Sequence, residues 1–340
     1  MKSLIVILLF VCSLTYSQEI KNIVLDKNTK QPLEGVSVYF NETTIGTTTD
    51  ANGNFILTDK VSANATLVIS FVGYETRLFS FHEIRALKEV LLQEKATDLN
   101  EVVLERDFWS REKKLKIFRR EFLGNDTASN SCKIINEDDI RLIYIASENV
   151  LYASCDSPIL IRNNYLGYHV QYQLADFEIK FKQSLNGFRL IESVYYSGTS
   201  LFSEIHKKTK SKYLTKREKE YLGSVLHFMR SLSKKEVVEN NFEVYIKDPS
   251  GTSNLFFPVD PYLYLIIEEK ENQNIELTVD KREIVVSFDR NLQSTLITKA
   301  DSNLFFIDNY GIFTPVDKML FSGYFGIKRI STMLPADFKL

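Results

Sequence analysis

The chain has 340 residues, of which 44% are hydrophobic and 25% are charged. This is the composition of an ordinary globular protein, and at roughly 100–200 residues per domain the length suits two or three folded units. Lysine and arginine number 42 against 44 aspartate and glutamate, so a net charge of −2 excludes an overall attraction to nucleic acid or an anionic membrane.

The N-terminus has the order of regions that defines a secretory signal peptide. Lys2 precedes an apolar run over residues 4–14, and the small residues Thr15 and Ser17 follow it. The run is about eleven residues long, whereas a helix needs about 20 to cross a bilayer. We therefore predict a cleaved signal peptide at residues 1–17, an exported protein and no transmembrane helix.

Residues 18–94 predict a small β-sandwich. Short β-type runs alternate with turn residues at 20–25, 36–40, 54–57, 66–71 and 89–92, and no helix of convincing length interrupts them. Several short strands at this spacing are typical of two packed antiparallel sheets.

Two turns carry most of the information in this region. Pro32 and Gly35 predict a turn before the second strand, because proline fixes φ and glycine permits a positive φ. Asp50, Asn52 and Gly53 predict a hairpin turn. This acidic turn is not expected to bind calcium, because its ligand series is incomplete and no glutamate stands twelve positions along.

Three stretches of this region occur in a recognisable order: KQPLEGVSV at 30–38, TTTDANGNF at 47–55 and ISFVGY at 69–74. Together they resemble the carboxypeptidase regulatory-like domain. The resemblance implies a transthyretin-like seven-stranded sandwich without catalytic residues, which serves as a spacer or interaction module in many envelope proteins of gram-negative bacteria. It therefore implies a location in the periplasm or at the outer membrane.

The next segment, DLNEVVL at 98–104, resembles the connection between this module and the plug of outer-membrane receptors. A receptor barrel needs hundreds of residues of alternating strands, and only about 235 remain. The chain is therefore not a complete receptor of that kind.

Residues 95–123 predict a linker with an amphipathic helix at 107–123. One interpretation is a helix that contacts a membrane surface or a partner protein; the other is a helix that packs its aromatic stripe on the next domain and leaves its charges in water. The stripe consists of Phe108, Leu115, Phe118 and Phe122. The contact residues of the first interpretation are Trp109, Lys113, Lys114, Lys116, Arg119 and Arg120.

Residues 124–340 predict a β-rich domain with one helical insertion. The β-type runs are 133–135, 140–145, 151–154, 159–162, 168–174, 177–181, 188–196, 242–246, 263–268, 275–279, 283–288, 294–298 and 304–307. The insertion is a single helix at 215–232, capped by Thr215, with Arg217, Lys219 and Arg230 on its exposed side. The basic stretch 207–217, which begins before this helix and continues into it, indicates either an anion site or a solvent-exposed segment that leads into the helix.

Cys132 and Cys155 remain after removal of the signal peptide, in a compartment that permits disulfides. Both lie among predicted strands. A bridge between them and two separate buried thiols are equally compatible with the sequence, which does not supply the Cα distance that a bridge requires.

Motifs for chemistry are absent. The four histidines, His82, His169, His206 and His227, show no metal-ligand spacing and are expected on the surface or in strands, and no metal or cofactor is predicted. Plentiful aromatic residues are either core or the lining of a glycan or peptide groove. The groove candidates are Phe256, Phe257, Tyr262, Tyr264, Phe305 and Phe306.

Stretches at 120–124, 131–134, 163–168 and 223–232 resemble a group of envelope proteins that carry the sandwich module at their N-terminus. The resemblance implies architecture and compartment and no activity. The fold class expected is mainly β: a transthyretin-like sandwich, a linker helix and a β-rich α+β domain.

The function expected is that of a non-catalytic accessory or interaction protein of the envelope, whose partner is another envelope or outer-membrane protein. Two alternatives stay open. A glycan-binding protein of a polysaccharide uptake system requires aromatic side chains exposed in one groove, and a hydrolase requires two buried carboxyl groups with raised pKa in a cleft.

Overall fold

The computed structural model describes residues 19–58, 65–95, 107–183, 189–248, 253, 255–270, 275–308 and 310–339. The predicted signal peptide and the segment 98–104 lie outside the described residues. The architecture is mainly β, as predicted, and the apolar side chains collect in three cores. The first core lies within residues 20–92, the second within 118–221 together with 330–338, and the third within 228–325.

The first core is enclosed by the predicted seven-stranded β-sandwich. Its strands are β1 (Glu19–Asp26), β2 (Ser37–Phe40), β3 (Gly46–Thr48), β4 (Asn54–Thr58), β5 (Leu67–Ser70), β6 (Arg77–Phe79) and β7 (Val90–Leu92). One sheet has the order β4-β1-β7 and the other has the order β3-β2-β5-β6. Val24, Val38 and Leu67 are fully buried between them.

A short helix in the sandwich, α1 (Phe81–Ala86), was not indicated by the sequence pattern. Its six residues make fewer than two turns, so no helical repeat is visible. The helix begins in a capping box, in which Ser80 accepts a hydrogen bond from the backbone of Glu83 and the Glu83 carboxylate accepts one in return.

The two predicted turns of the sandwich are confirmed. Gly35 and Gly53 both have a φ of 76°, the region that glycine adopts without steric cost. Asp50 Oδ1 accepts hydrogen bonds from the backbone nitrogens of Asn52 and Asn54, at 2.9 and 2.8 Å. The acidic turn is therefore a structural turn built on its own backbone.

The second core lies between a helix and a six-stranded sheet. Its elements are α2 (Arg111–Leu123), β8 (Cys132–Ile134), β9 (Arg141–Ile145), β10 (Val150–Ser154), β11 (Ile159–Asn163), β12 (Tyr168–Gln183) and β13 (Arg189–Glu204). The order is β8-β11-β12-β10-β9, with β13 also paired to β12. The two runs predicted at 168–174 and 177–181 are one strand, because a β-bulge between Leu174 and Asp176 bends the ladder without ending it.

Helix α2 packs its aromatic residues on this sheet. Phe118 and Phe122 are fully buried, and the Phe118 ring lies 4.7 Å from that of Phe177. The helix begins at Arg111, not at 107, because Ser110 caps it by accepting a hydrogen bond from the backbone of Lys113. Phe108 therefore precedes the helix and is exposed, whereas the sequence placed it in the stripe.

The single helix predicted at 215–232 is wrong: the structure has two helices, α3 (Ser211–Tyr221) and α4 (Val225–Ser233). Gly223 between them has a φ of 72°, which ends the first helix, and Ser224 caps the second by accepting a hydrogen bond from the backbone of His227. Thr215 lies inside α3 and caps nothing. None of the helices in the described part of the chain is both long and apolar enough to cross a membrane.

The third core lies between two further sheets. Their strands are β14 (Phe242–Lys247), β15 (Phe256–Val259), β16 (Leu265–Glu269), β17 (Ile275–Val279), β18 (Glu283–Phe288), β19 (Leu292–Thr298), β20 (Leu304–Ile307), β21 (Phe313–Thr314) and β22 (Met319–Ser322). The orders are β15-β14-β18-β19-β22 and β16-β17-β20-β21, and helix α5 (Gly323–Ile327) follows β22. The region 124–340, expected as one β-rich domain, thus contains two hydrophobic cores.

Candidate functional site

The sandwich is docked on the rest of the chain through its backbone. The amide of Glu42 donates to the carbonyl of Ser200 at 2.8 Å, and the amide of Phe202 donates to the carbonyl of Thr43 at 2.9 Å. Thr43 and Leu201 form a parallel β-bridge. The loop after β2 therefore continues the pairing of β13 across the boundary between the first and second cores.

The C-terminal segment closes the same junction. The backbone amide of Ala336 donates to the Glu42 carbonyl at 2.6 Å, and Asp337 accepts hydrogen bonds from the backbone amide and the hydroxyl of Thr44. Ile330 and Leu334 anchor the segment in the second core. Residues from the beginning, middle and end of the described chain thus meet at one place.

A cavity of about 450 Å³ lies at this junction, and residues of the second and third cores line it together with Glu42 of the sandwich. It falls within the range of ~300–1,000 Å³ that is usual for small-molecule sites. Its walls come from the loop after β2, strands β12 and β13, the end of α3, the start of α4, residues 311–317, and the segment from α5 to Ala336. We take this junction cavity as the candidate functional site.

Glu42 is the acidic residue that the sandwich contributes to the junction cavity. Its φ of 59° is unusual for a residue with a side chain, and the two backbone hydrogen bonds to Ser200 and Ala336 hold it there. No described residue donates a hydrogen bond to its carboxylate. Burial raises the pKa of Glu42, and the nearby carboxylate of Asp308 raises it further.

The six-stranded sheet contributes several hydroxyl-bearing residues to the lining of the cavity, among them Tyr172, Tyr196 and Ser200. The two phenol rings pack edge to face, with centroids 6.4 Å apart, and burial raises the pKa of both. Ser200 Oγ is buried without a hydrogen-bond partner among the described residues. Buried polar groups normally find a partner, so these hydroxyls are available to a polar ligand.

Two basic residues at the start of the C-terminal segment, Lys328 and Arg329, also line the cavity. Lys328 Nζ lies 2.5 Å from Glu220 Oε2, and Tyr165 donates its hydroxyl to Glu220 Oε1 at 3.0 Å. Arg329 has no carboxylate partner among the described residues, and its Nη1 donates only to the backbone carbonyls of Gly326 and Lys328. Among the described residues, the cavity is therefore lined by the ion pair of Lys328 with Glu220 and by the guanidinium of Arg329, which has no carboxylate partner.

The remaining wall of the junction cavity is apolar. Val225 and Leu226 contribute from α4, Phe325 from α5, and Met333 and Leu334 from the C-terminal segment. A cavity lined by both charged or polar and apolar side chains favours a ligand that is itself amphipathic.

The residues predicted on the linker helix lie away from this cavity. Trp109 stacks on Tyr144 with ring centroids 3.9 Å apart, and Lys113 Nζ lies 3.8 Å from the Trp109 ring. Lys114, expected among the solvated or contacting charges, is buried and pairs with Asp107 at 2.5 Å. Its ammonium group also donates to the Leu142 carbonyl at 2.8 Å, so Lys114 attaches the start of the helix to β9.

The other basic residues of α2 are exposed. Arg119 pairs with Glu137 across to the next segment, Arg120 pairs with Glu121, and Lys116 has no acidic partner among the described residues. Acidic neighbours therefore neutralise much of the basic face that the sequence suggested for a membrane or a partner.

Cys132 and Cys155 are both free thiols. Cys132 Sγ lies 3.4 Å from the Ala128 carbonyl, and Cys155 Sγ lies 3.7 Å from the Asp139 carbonyl. Burial raises the pKa of Cys132 to about 12 and also raises that of Cys155. Such thiols stay protonated at neutral pH and make poor nucleophiles.

Two expectations about charged and titratable groups are wrong. Arg217, expected on the exposed side of a helix, is 3% exposed and makes a bidentate pair with Glu204 at 2.7 and 2.8 Å. His227, expected on the surface or in a strand, is buried in α4, where its Nδ1 accepts a hydrogen bond from the Gly223 amide and burial lowers its pKa. In both cases the side chain lies on a buried face of its helix, α3 for Arg217 and α4 for His227, and the sequence pattern did not indicate that this face is buried.

The aromatic residues proposed for a glycan groove do not share one surface. Phe305 is fully buried, and Tyr262 and Tyr264 pack against the third core. The exposed ones are divided between two sheets: Phe256 and Phe257 are on β15, and Phe306 is on β20. Within the described chain, no group of three or more His, Cys, Asp and Glu side chains is close enough to hold a metal ion.

Sequence reasoning missed the residues of the junction cavity. Glu42, Tyr172, Tyr196, Ser200 and Arg329 stand in four separate parts of the sequence, and none belongs to a local motif. Only the fold brings them together, through the docking of the sandwich on β13.

Residues 21–104 match the family model of the CarboxypepD_reg-like domain. The match covers the sandwich and confirms the resemblance noted in its turns. A comparison of the chain with curated proteins finds no match.

Proposed function

We propose that this protein is a non-catalytic accessory protein of the bacterial cell envelope, and that it binds its partner or ligand at the junction cavity. One observation carries the proposal: the CarboxypepD_reg-like sandwich is not suspended on a linker but is hydrogen-bonded into the wall of a cavity. A module in this position shapes a binding site, as expected of an interaction module.

Export is part of the proposal and rests on the order of regions in residues 1–17. The family of the sandwich is compatible with an accessory role at the periplasm or the outer membrane. Another envelope or outer-membrane protein is the partner class that fits this location.

The hydrolase alternative has one observation in its favour, the raised pKa of Glu42 beside Asp308. A hydrolase with an acid pair needs a second carboxyl group open to the same substrate. Asp308 is buried, and its Oδ1 accepts hydrogen bonds from the backbone amides of Tyr310 and Ile312 at 2.9 Å each. This arrangement favours a structural role for Asp308 and binding rather than hydrolysis.

In-cell crosslinking tests the proposal. A photoreactive phenylalanine derivative replaces Val316, which lines the junction cavity and is 60% exposed. After irradiation, the envelope is separated from the cytoplasm, and the products attached to the mature chain are identified by mass spectrometry. We expect a chain that begins near Gln18, in the envelope fraction, with one recurrent crosslinked species.

The matched control carries the same derivative at Val238, which is 61% exposed and does not line the cavity. The control is expected to give no recurrent species. A full-length chain in the cytoplasm, or identical products from both positions, would show that the proposed function is wrong.

A further inference from the structure

We propose that the junction cavity binds an amphipathic monocarboxylate, with its carboxylate at Arg329 and Tyr196 and its apolar body against Phe325, Met333 and Leu334. This inference rests on the proposed function, because it takes the junction cavity as the binding site, and it goes further by naming the chemical class of the ligand.

The first step is the free capacity of Arg329. Nη1 is engaged with two backbone carbonyls, whereas Nε and Nη2 have no acceptor among the described residues. These two nitrogens donate side by side, which is the geometry that holds both oxygens of one carboxylate. The guanidinium stays charged at all physiological pH values, so it presents a permanent positive charge to the cavity.

The second step is the charge state of the other lining groups. Glu220 and Lys328 neutralise each other at 2.5 Å, and Asp317 at the rim has Lys318 at 4.0 Å. Glu42 has no such partner in the described part of the chain, and burial, together with the nearby Asp308 carboxylate, raises its pKa, which favours its neutral form. Among the described lining residues, Arg329 therefore carries the positive charge that is not neutralised, and an anionic ligand would complement it.

The third step is the set of hydroxyl donors that line the same cavity as Arg329. Burial raises the pKa of Tyr196 and the charge of Arg329 opposes this, while Tyr172 and Ser200 line the same cavity with hydroxyls that have no hydrogen-bond partner among the described residues. A carboxylate offers four lone-pair directions and can accept hydrogen bonds from a guanidinium and a phenol together. A head group without acceptors would leave these donors unpaired.

The fourth step is the apolar wall. Phe325 and Leu334 are buried side chains of the protein interior, and Met333 provides a flexible surface that adapts to different shapes. An alkyl chain or an aromatic ring placed against them gains the free energy of burying apolar area. The ligand is thus either an acyl carboxylate or an aryl carboxylate.

Calorimetric titration of the mature protein tests the inference. Dodecanoate and phenylbutyrate are compared as two sources of the same chemistry, and dodecanol and dodecylamine serve as head-group controls. We expect at least one carboxylate to bind, with an affinity about tenfold or more above that of dodecanol, and dodecylamine to bind more weakly still.

Two variants test which residues bind the carboxylate head group. Arg329→Gln is expected to lower the affinity for the carboxylate about tenfold or more and to leave that for dodecanol unchanged, and Tyr196→Phe, which removes one hydroxyl, is expected to lower it less. Arg290→Gln is the matched control, because the Arg290 side chain is 85% exposed and does not line the cavity. Tyr196→Phe keeps the test valid if Arg329→Gln fails to fold.

Equal affinity for all head groups, a preference for dodecylamine, or an unchanged affinity in both variants would overturn the inference. If neither carboxylate binds but Val316 still gives its specific crosslink, the accessory function stands and the ligand class is wrong. If a carboxylate binds but the crosslinking test fails, the ligand class stands and the proposed function is wrong.

Discussion

Asp107 and Lys114 form a partly buried ion pair at the start of the linker helix. Burial alone would raise the pKa of Asp107, but hydrogen bonds from Lys114 Nζ and from the backbone amides of Trp109 and Tyr144 outweigh it and hold the pKa below its usual value. A carboxyl group with a lowered pKa stabilises the folded state above its unfolded pKa. This stabilisation is lost as the pH falls through the folded pKa.

Asp107→Asn is therefore expected to destabilise the protein in a pH-dependent way. Near pH 7 it leaves the buried ammonium of Lys114 without its counter-ion, at a cost of about 3 kcal/mol in the free energy of unfolding. The difference from the wild type should begin to shrink as the pH falls below about 4, the pKa of an aspartate in the unfolded chain, and should be lost once the pH is below the lowered folded pKa of Asp107. Urea unfolding at neutral and acidic pH measures both values.

Asp156→Asn is the control for this change. Asp156 pairs with Arg141 on the surface, where both side chains are more than half exposed, and it should cost only about 0–1 kcal/mol. A loss for Asp107→Asn that is as small as this, or that does not depend on pH, would contradict the role assigned to the pair.

The helical insertion shows how one glycine divides an element. Gly223 lies between α3 and α4 with a positive φ, and a Cβ atom added there would lie 2.7 Å from Cδ1 of Phe288. The break turns Tyr221 towards the second core and Phe228 into the third. The break therefore allows two consecutive helices to pack on two different cores, which one continuous helix could not do.

Gly223→Ala should destabilise the protein by more than backbone strain alone. An alanine in the left-handed region costs about 1–2 kcal/mol, and the contact with Phe288 adds to this. Gly73→Ala is the matched comparison, since Gly73 has a φ of 87° but no atom within 4 Å of an added Cβ. Calorimetric unfolding of both variants measures their stabilities. Equal losses of stability would show that the turn at Gly223 tolerates the added methyl group.

The positions of the strands were predicted from the sequence more accurately than the features that depend on how the strands and helices pack together. Alternation and turn residues located most strands within a few positions, since a half-buried strand shows its period of two directly. The short edge strand β15, the continuity of β12 across its bulge and the break at Gly223 were missed, because each depends on the neighbouring elements. Arg217 and His227 were placed on the wrong side for the same reason.

At the scale of the whole molecule, docking of the sandwich decides where the candidate site lies. Residues 42, 172, 196, 200 and 329 meet only in the folded chain, so no spacing in the sequence indicates the cavity. The family of the sandwich was recognisable because its turns require particular residue types at particular positions. A surface used for docking has no such requirement that can be seen in the sequence.

Cysteine substitution tests the docking. Thr43 and Leu201 are bridge partners, which places their Cα atoms within the range of ~4.4–6.8 Å that a disulfide spans. In a Cys132→Ser/Cys155→Ser background, Thr43→Cys with Leu201→Cys should form a bridge in the folded protein under mild oxidation. Non-reducing electrophoresis after proteolysis measures its yield.

The control pair is Ile56→Cys with Leu201→Cys. Ile56 is exposed on β4, in the sheet of the sandwich that does not contribute to the junction. A bridge of similar yield in both pairs, or none in the first, would mean that the sandwich moves freely with respect to β13.

The pairing of Glu42 with Ser200 and Ala336 also imposes an order of events on a chain that is synthesised from its N-terminus. The strands of the sandwich are complete once residue 92 has emerged, yet the partners of its docking loop arrive only with residues 200 and 336. Such contacts between distant residues form late, because a long loop has to close before they are made. The cavity is therefore the last part of the molecule to form, and a partly synthesised chain presents a folded module beside an unfinished site.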